Sequence, residues 1–110
     1  MTTENMLGID LVYLPEFKEK LKNLSLEKVF LPHELSQNKS QESLAGIFAV
    51  KEAFFKAIGV KKNWLDVWIE KTKEGKPFVK SVLIQNQKAE VSISHAGDYA
   101  IAIVMIEDER

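Results

Sequence analysis

The chain has 110 residues, 45% of them hydrophobic and 28% charged, with a formal net charge of −1. Those values suit one ordinary globular domain and exclude a two-domain chain, a disordered one and, with no long run of either sign, a general nucleic-acid or membrane-surface binder. The absence of cysteine excludes disulfides, thiolate metal sites and cysteine nucleophiles.

The N-terminal stretch carries Glu4 and lacks a basic segment followed by an apolar core, so no secretory signal and a cytoplasmic location are expected. No later stretch approaches the roughly 20 apolar residues of a membrane span. From Met6 to Tyr13, Leu7, Ile9 and Leu11 alternate with Gly8, Asp10 and Val12, which predicts a strand. Pro15 suits the first turn of a helix, in which Phe17, Leu21 and Leu24 share a face while Lys18, Lys20 and Lys22 lie mainly towards solvent. A helical turn is predicted after Pro32. The longest helical signal is Ser40–Ile58: Ser40 can cap it, Leu44, Phe48, Phe55 and Ile58 form an apolar stripe with Ile47 and Phe54 beside it, and Gly59 supplies the stop.

Leu65, Val67 and Ile69 then alternate with Asp66, Trp68 and Glu70 as a second strand, and Lys73-Glu74-Gly75-Lys76-Pro77 is a turn. A short helix is predicted over Ser81–Lys88. Glu90–Ser94 and Tyr99–Glu107 read as strands joined by a hairpin turn at His95-Ala96-Gly97-Asp98. The sum is an α+β fold, one long helix packed on a mainly antiparallel sheet of four or so strands. A domain this small leaves apolar surface that a partner subunit can cover.

Three residues stand out chemically. Asp10 lies inside an apolar strand, where a buried, unpaired carboxylate costs several kcal/mol; either its strand face meets solvent, or it is a cation ligand with Gly8 allowing another group to approach. Glu52 sits mid-helix, four residues before Lys56. That spacing describes either a surface ion pair worth about 0.2–0.5 kcal/mol or a working carboxylate; Lys51 has no better claim from its spacing. Two carboxylates from different elements suit Mg²⁺, a hard cation that shares its oxygen ligands with phosphate. His95, in the last hairpin, is either inert, a phosphate ligand or a proton carrier.

Several segments, in order, resemble the 4′-phosphopantetheinyl transferase family. Gly8-Ile9-Asp10-Leu11-Val12 is similar to its opening G-(I/L)-D motif, and the run from Phe48 to Gly59 is similar to its signature W/F-x-x-K-E-A-x-x-K-A. Ser92-Ile93-Ser94-His95-Ala96-Gly97-Asp98-Tyr99-Ala100 is similar to its S-I-S-H-x-x-x-Y-A hairpin. Weaker matches are Phe30–Leu35, resembling F-T-x-x-E-L, and the Gly75-Lys76-Pro77 turn.

The resemblance implies the family's fold and Mg²⁺-dependent transfer of the phosphopantetheine arm from coenzyme A to a serine of an apo acyl carrier protein, with 3′,5′-ADP released. By position, Asp10 and Glu52 would hold Mg²⁺ and Lys56 would neutralise phosphate charge. Glu52, or water on the metal, would take the serine proton, and His95 would lie near the nucleotide phosphates. The length matches the small, holo-acyl-carrier-protein synthase type, which implies a homotrimer with sites between subunits. The chain departs from the pattern where a family arginine after the first strand is missing from Tyr13-Leu14-Pro15-Glu16, where another is replaced by Ile47, and where a Gly-Thr-Gly loop is replaced by Gly59-Val60-Lys61. Lys39, Lys61 and Lys62 are the candidate substitutes on coenzyme A, and Lys18, Lys22 and Lys28 the candidate carrier-facing cations. The alternative reading is a non-catalytic trimeric homologue acting as a binding or assembly module.

Overall fold

The computed structural model describes residues 6–108. Its elements run β1 (Met6–Tyr13), α1 (Leu14–Asn23), α2 (Pro32–Gln37), α3 (Gln41–Ile58), β2 (Val67–Lys71), β3 (Pro77–Ser81), β4 (Gln87–Ala96) and β5 (Tyr99–Asp108). The strands form one five-stranded sheet in the order β1-β5-β4-β3-β2, with every neighbouring pair antiparallel. Helix α3 lies across one face of that sheet, chiefly on β1 and β5.

Local chemistry accounts for the ends of α3. The Ser40 side chain accepts a hydrogen bond from the Ser43 N–H at 3.1 Å, and Gly59 takes a left-handed conformation, φ 81°, that closes the helix. The buried face of α3 contributes Phe48, Phe54 and Phe55, which pack with Phe17 of α1, Phe30, and Val104 and Ile106 of β5.

Three expectations are corrected. No helix forms over Ser81–Lys88: Ser81 ends β3, Val82 and Leu83 turn, and Gln87 opens β4. The Ser81 hydroxyl donates to the Asp66 carbonyl at 2.7 Å and accepts from the Leu83 N–H at 3.0 Å. The Val82 N–H also goes to the Asp66 carbonyl, at 3.2 Å. The polar groups a helix would need are thus spent on the start of the neighbouring strand, and Asn86 adopts a left-handed φ of 55°. Leu65 belongs to a 3₁₀ turn, Trp64–Asp66, and the strand begins at Val67. The last hairpin is tighter than expected, with Ala96 paired to Tyr99 across Gly97-Asp98, so His95 is a strand residue opposite Ala100.

The alternation in β1 establishes the strand, but the apolar set faces outward. Gly8 and Val12 are buried against α3 with Asp10 between them, while Leu7, Ile9, Leu11 and Tyr13 are exposed. Period-2 patterning cannot say which face is covered, and Gly8 decides it. A Cβ there would run into the Ala53 carbonyl and come within 2.8 Å of the Ala57 nitrogen, so the glycine is what lets α3 settle on β1. The outward residues pair with an equally apolar row on β5: Leu7 with Met105, Ile9 with Ile103, Leu11 with Ile101 and Tyr13 with Tyr99.

Candidate active site

The close approach at Gly8 has a chemical consequence two residues further along the same face. Asp10, 16% exposed, points at α3, where Lys56 donates to its carboxylate at 3.0 Å. Glu52, 19% exposed, lies one turn earlier on α3 and accepts from Lys61 at 3.2 Å. The solvent-facing reading of Asp10 and the Glu52–Lys56 surface pair are both replaced by this crossed arrangement. Burial pushes the Asp10 carboxyl above its ordinary value; Lys56 opposes the shift and the charge of Glu52 adds to it.

Both carboxylates border a cleft of about 110 Å³ whose wall includes Tyr13, Glu16, Phe48 and Lys20. The sequence reading named Glu16 and Lys20 without linking either to the carboxylates, although their spacing of four on α1 puts them on one side of that helix. Among the described residues no three metal-ligating side chains converge anywhere. Two half-buried carboxylates on different elements fit a hard dication that draws its remaining oxygens from phosphate and water.

Lys51, next to Glu52, serves another purpose. Successive helix residues diverge by about 100°, and Lys51 is wholly buried on the far side. Its ammonium donates to the Val29 carbonyl (2.7 Å), Glu34 Oε1 (2.7 Å) and the Trp64 carbonyl (3.2 Å). Glu34, 1% exposed, also accepts from the Leu31 N–H at 2.9 Å and the Ile69 N–H at 3.0 Å. The pair braces α3 against both segments that flank it. Burial lowers the Lys51 pKa, with Glu34 opposing. Glu34 was quoted in the sequence only as part of a weak motif; nothing in the spacing joins it to Lys51.

His95 stands elsewhere. Its Nε2 donates to the Glu42 carbonyl at 3.0 Å in the first turn of α3, and its ring occupies room left by Gly46, where a Cβ would lie 3.1 Å from Nε2. Lys39 is exposed in the short connection from α2 to α3, beside that same end. Ten residues of helix separate Glu42 from Glu52, about 15 Å. Asp10, Glu52, Lys56 and Lys61 are therefore brought together, whereas His95 and Lys39 belong to the opposite end of α3.

Known proteins resemble this chain in sequence and in fold. Residues 6–104 match the family model of the 4′-phosphopantetheinyl transferase superfamily. A holo-[acyl-carrier-protein] synthase of Bacillus pumilus is 37% identical over 115 residues, covering 92% of this chain and 93% of that protein. Among solved structures, apo-ACPS from Chronobacterium ammoiniagenes superposes with a TM-score of 0.85 at 29% identity, covering 99% of this chain and all of that one. The Helicobacter pylori holo-[acyl-carrier-protein] synthase in complex with coenzyme A gives 0.82 at 32% identity, covering 92% and 99%. The carboxylate pair, the helix signature and these similarities converge: the chain belongs to the 4′-phosphopantetheinyl transferase superfamily and is an enzyme of its holo-acyl-carrier-protein synthase type.

Proposed function

We propose that this enzyme transfers the 4′-phosphopantetheine arm of coenzyme A to a serine hydroxyl of an apo acyl carrier protein, with Mg²⁺ as cofactor and 3′,5′-ADP as the second product. The observation that carries the reading is that Asp10 and Glu52, from different elements, border one cleft, with Lys56 held on Asp10. The names of the relatives support the acceptor, and the coenzyme A complex of the Helicobacter pylori protein supports the donor.

In the reaction the serine oxygen bonds to the phosphorus that carries the pantetheine arm. The bond from that phosphorus to the bridging oxygen of the diphosphate breaks, and the bridging oxygen leaves on 3′,5′-ADP. Asp10 and Glu52 would hold Mg²⁺, which when bound supplies positive charge against the diphosphate. Glu52 lies in the cleft as the base for the serine proton. Lys56, anchored on Asp10, sets an ammonium where negative charge develops on the phosphate oxygens. His95, Lys39 and Lys61 are assigned to the anionic groups of coenzyme A, and the exposed Lys18, Lys22 and Lys28 to an acidic carrier surface.

Two observations support a homotrimer with shared sites. The outer face of β1 and β5 is a continuous apolar surface suited to another copy of the chain. Within one chain, His95 and Lys39 lie at the far end of α3 from the carboxylates, and a neighbouring copy can bring such a pair to the cleft of the next.

Calorimetry of coenzyme A binding tests the metal assignment. Binding strengthened by Mg²⁺ in the native protein and indifferent to Mg²⁺ in Asp10→Asn is the expected result. An Mg²⁺ effect that survives in both Asp10→Asn and Glu52→Gln would remove these carboxylates from the metal site.

A further inference from the structure

Both carboxylates of the cleft are neutralised by cations of the chain itself, and the two cations differ in how they are held. Lys56 belongs to α3 and reaches across to Asp10 on β1. Lys61 comes from the connection after Gly59 and is 57% exposed. Its ammonium stands between two partners, Glu52 Oε1 at 3.2 Å and the face of the Trp64 ring at 4.7 Å. Trp64 is fixed independently of Lys61. Its carbonyl accepts from the buried Lys51, its ring lies 5.9 Å from that of Phe48, and the Asn63 side chain caps its 3₁₀ turn through the Leu65 N–H at 2.9 Å.

A flexible lysine thus rests on a carboxylate it can leave and an aromatic face that stays in place. Asp10 and Glu52 face the same cleft as two carboxylates, and Lys61 sits on the second as Lys56 does on the first. A dication on Glu52 would compete with Lys61 for the same oxygen.

We propose that Lys61 is an exchangeable counter-ion of the cleft: it neutralises Glu52 in the free protein and yields that carboxylate to the dication. It then turns, still against Trp64, to the anionic oxygens of the diphosphate that binds with the metal. This rests on the two-carboxylate reading of the site. It makes Lys61 a positioning residue that acts twice, first against the metal and then for the substrate.

The test uses Mn²⁺ as a paramagnetic probe on the intact protein, read by electron paramagnetic resonance. Without coenzyme A, Lys61→Met is expected to bind Mn²⁺ about fivefold more tightly than the native protein, the scale of an exposed ion pair. With Mn²⁺ present, coenzyme A should bind the same variant about tenfold more weakly, as for one lost charge-assisted contact. Lys61→Arg, which keeps the charge, should bring both values back towards native. Unchanged Mn²⁺ affinity in Lys61→Met overturns the exchange, and unchanged coenzyme A affinity overturns the second half of it. Absence of Mn²⁺ binding to the native protein, with or without coenzyme A, would overturn the two-carboxylate reading itself and this proposal with it.

Discussion

Asp10 carries an energetic cost that a purely structural residue would not. Its carboxyl is raised from 3.8 by burial, so the folded chain holds that proton more tightly than the unfolded chain does. Stability therefore falls as pH rises from 3.8 through the raised value, the ionised form being the less stable one. Asp10→Asn is expected to keep or raise the melting temperature at pH 7, to flatten that part of the pH–stability profile, and to lower transfer about a hundredfold or more. A large drop in melting temperature would instead make Asp10 a structural residue. The two carboxylates were legible in the sequence as oddities, one in an apolar strand and one beside an apolar stripe. Their partners were not. Helix spacing points Glu52 at Lys56, yet each finds a partner outside its own element, because tertiary approach at Gly8 and the short turn after Gly59 outrank a weak local pair.

Among the elements, the seating of α3 on β1 and its brace at Lys51 govern the site. Gly8→Ala forces a methyl group into the α3 backbone, with an overpacking cost of about 1–3 kcal/mol. Since it also moves Asp10 away from Lys56, activity should fall further than stability, a comparison made by denaturant melts beside transfer assays. Lys51→Met leaves Glu34 buried without its cation and should destabilise by about 3–5 kcal/mol. The double variant Lys51→Met with Glu34→Leu is expected to recover most of that loss, and failure to recover would mean that packing, not charge, dominates there. Helix α3 was readable end to end, because a serine cap and a left-handed glycine are local signals. The region from Ser81 to Lys88 was not. Its conformation is dictated by bonds to Asp66, distant in sequence, and strand β3 was hidden behind the Gly75-Lys76-Pro77 turn for a similar reason.

At the scale of the whole molecule, the sheet presents an apolar face on each side of β1 and β5, and α3 covers only one. Leu7, Ile9 and Leu11 read in sequence as one side of a strand and prove to be the uncovered side, a distinction that period-2 alternation cannot make. A small domain has too little interior for both faces, so a second copy is the expected cover. Light scattering should report a trimer, and Ile103→Asp on the outer face should reduce it to smaller species and lower activity together. A fully active monomer would contradict the shared-site account. The overall α+β fold and the family were legible from a few motifs spread along the chain, whereas the separation of His95 and Lys39 from the carboxylates required the structure.

The central claim is transfer chemistry at the Asp10–Glu52 cleft, and intact-mass analysis of an apo acyl carrier protein tests it most directly. After incubation with this protein, coenzyme A and Mg²⁺, the carrier is expected to gain the mass of one phosphopantetheine arm, and Glu52→Ala is expected to abolish the gain. No gain on any of several carrier proteins, from protein shown to be folded, would contradict it, as would full transfer by Glu52→Ala.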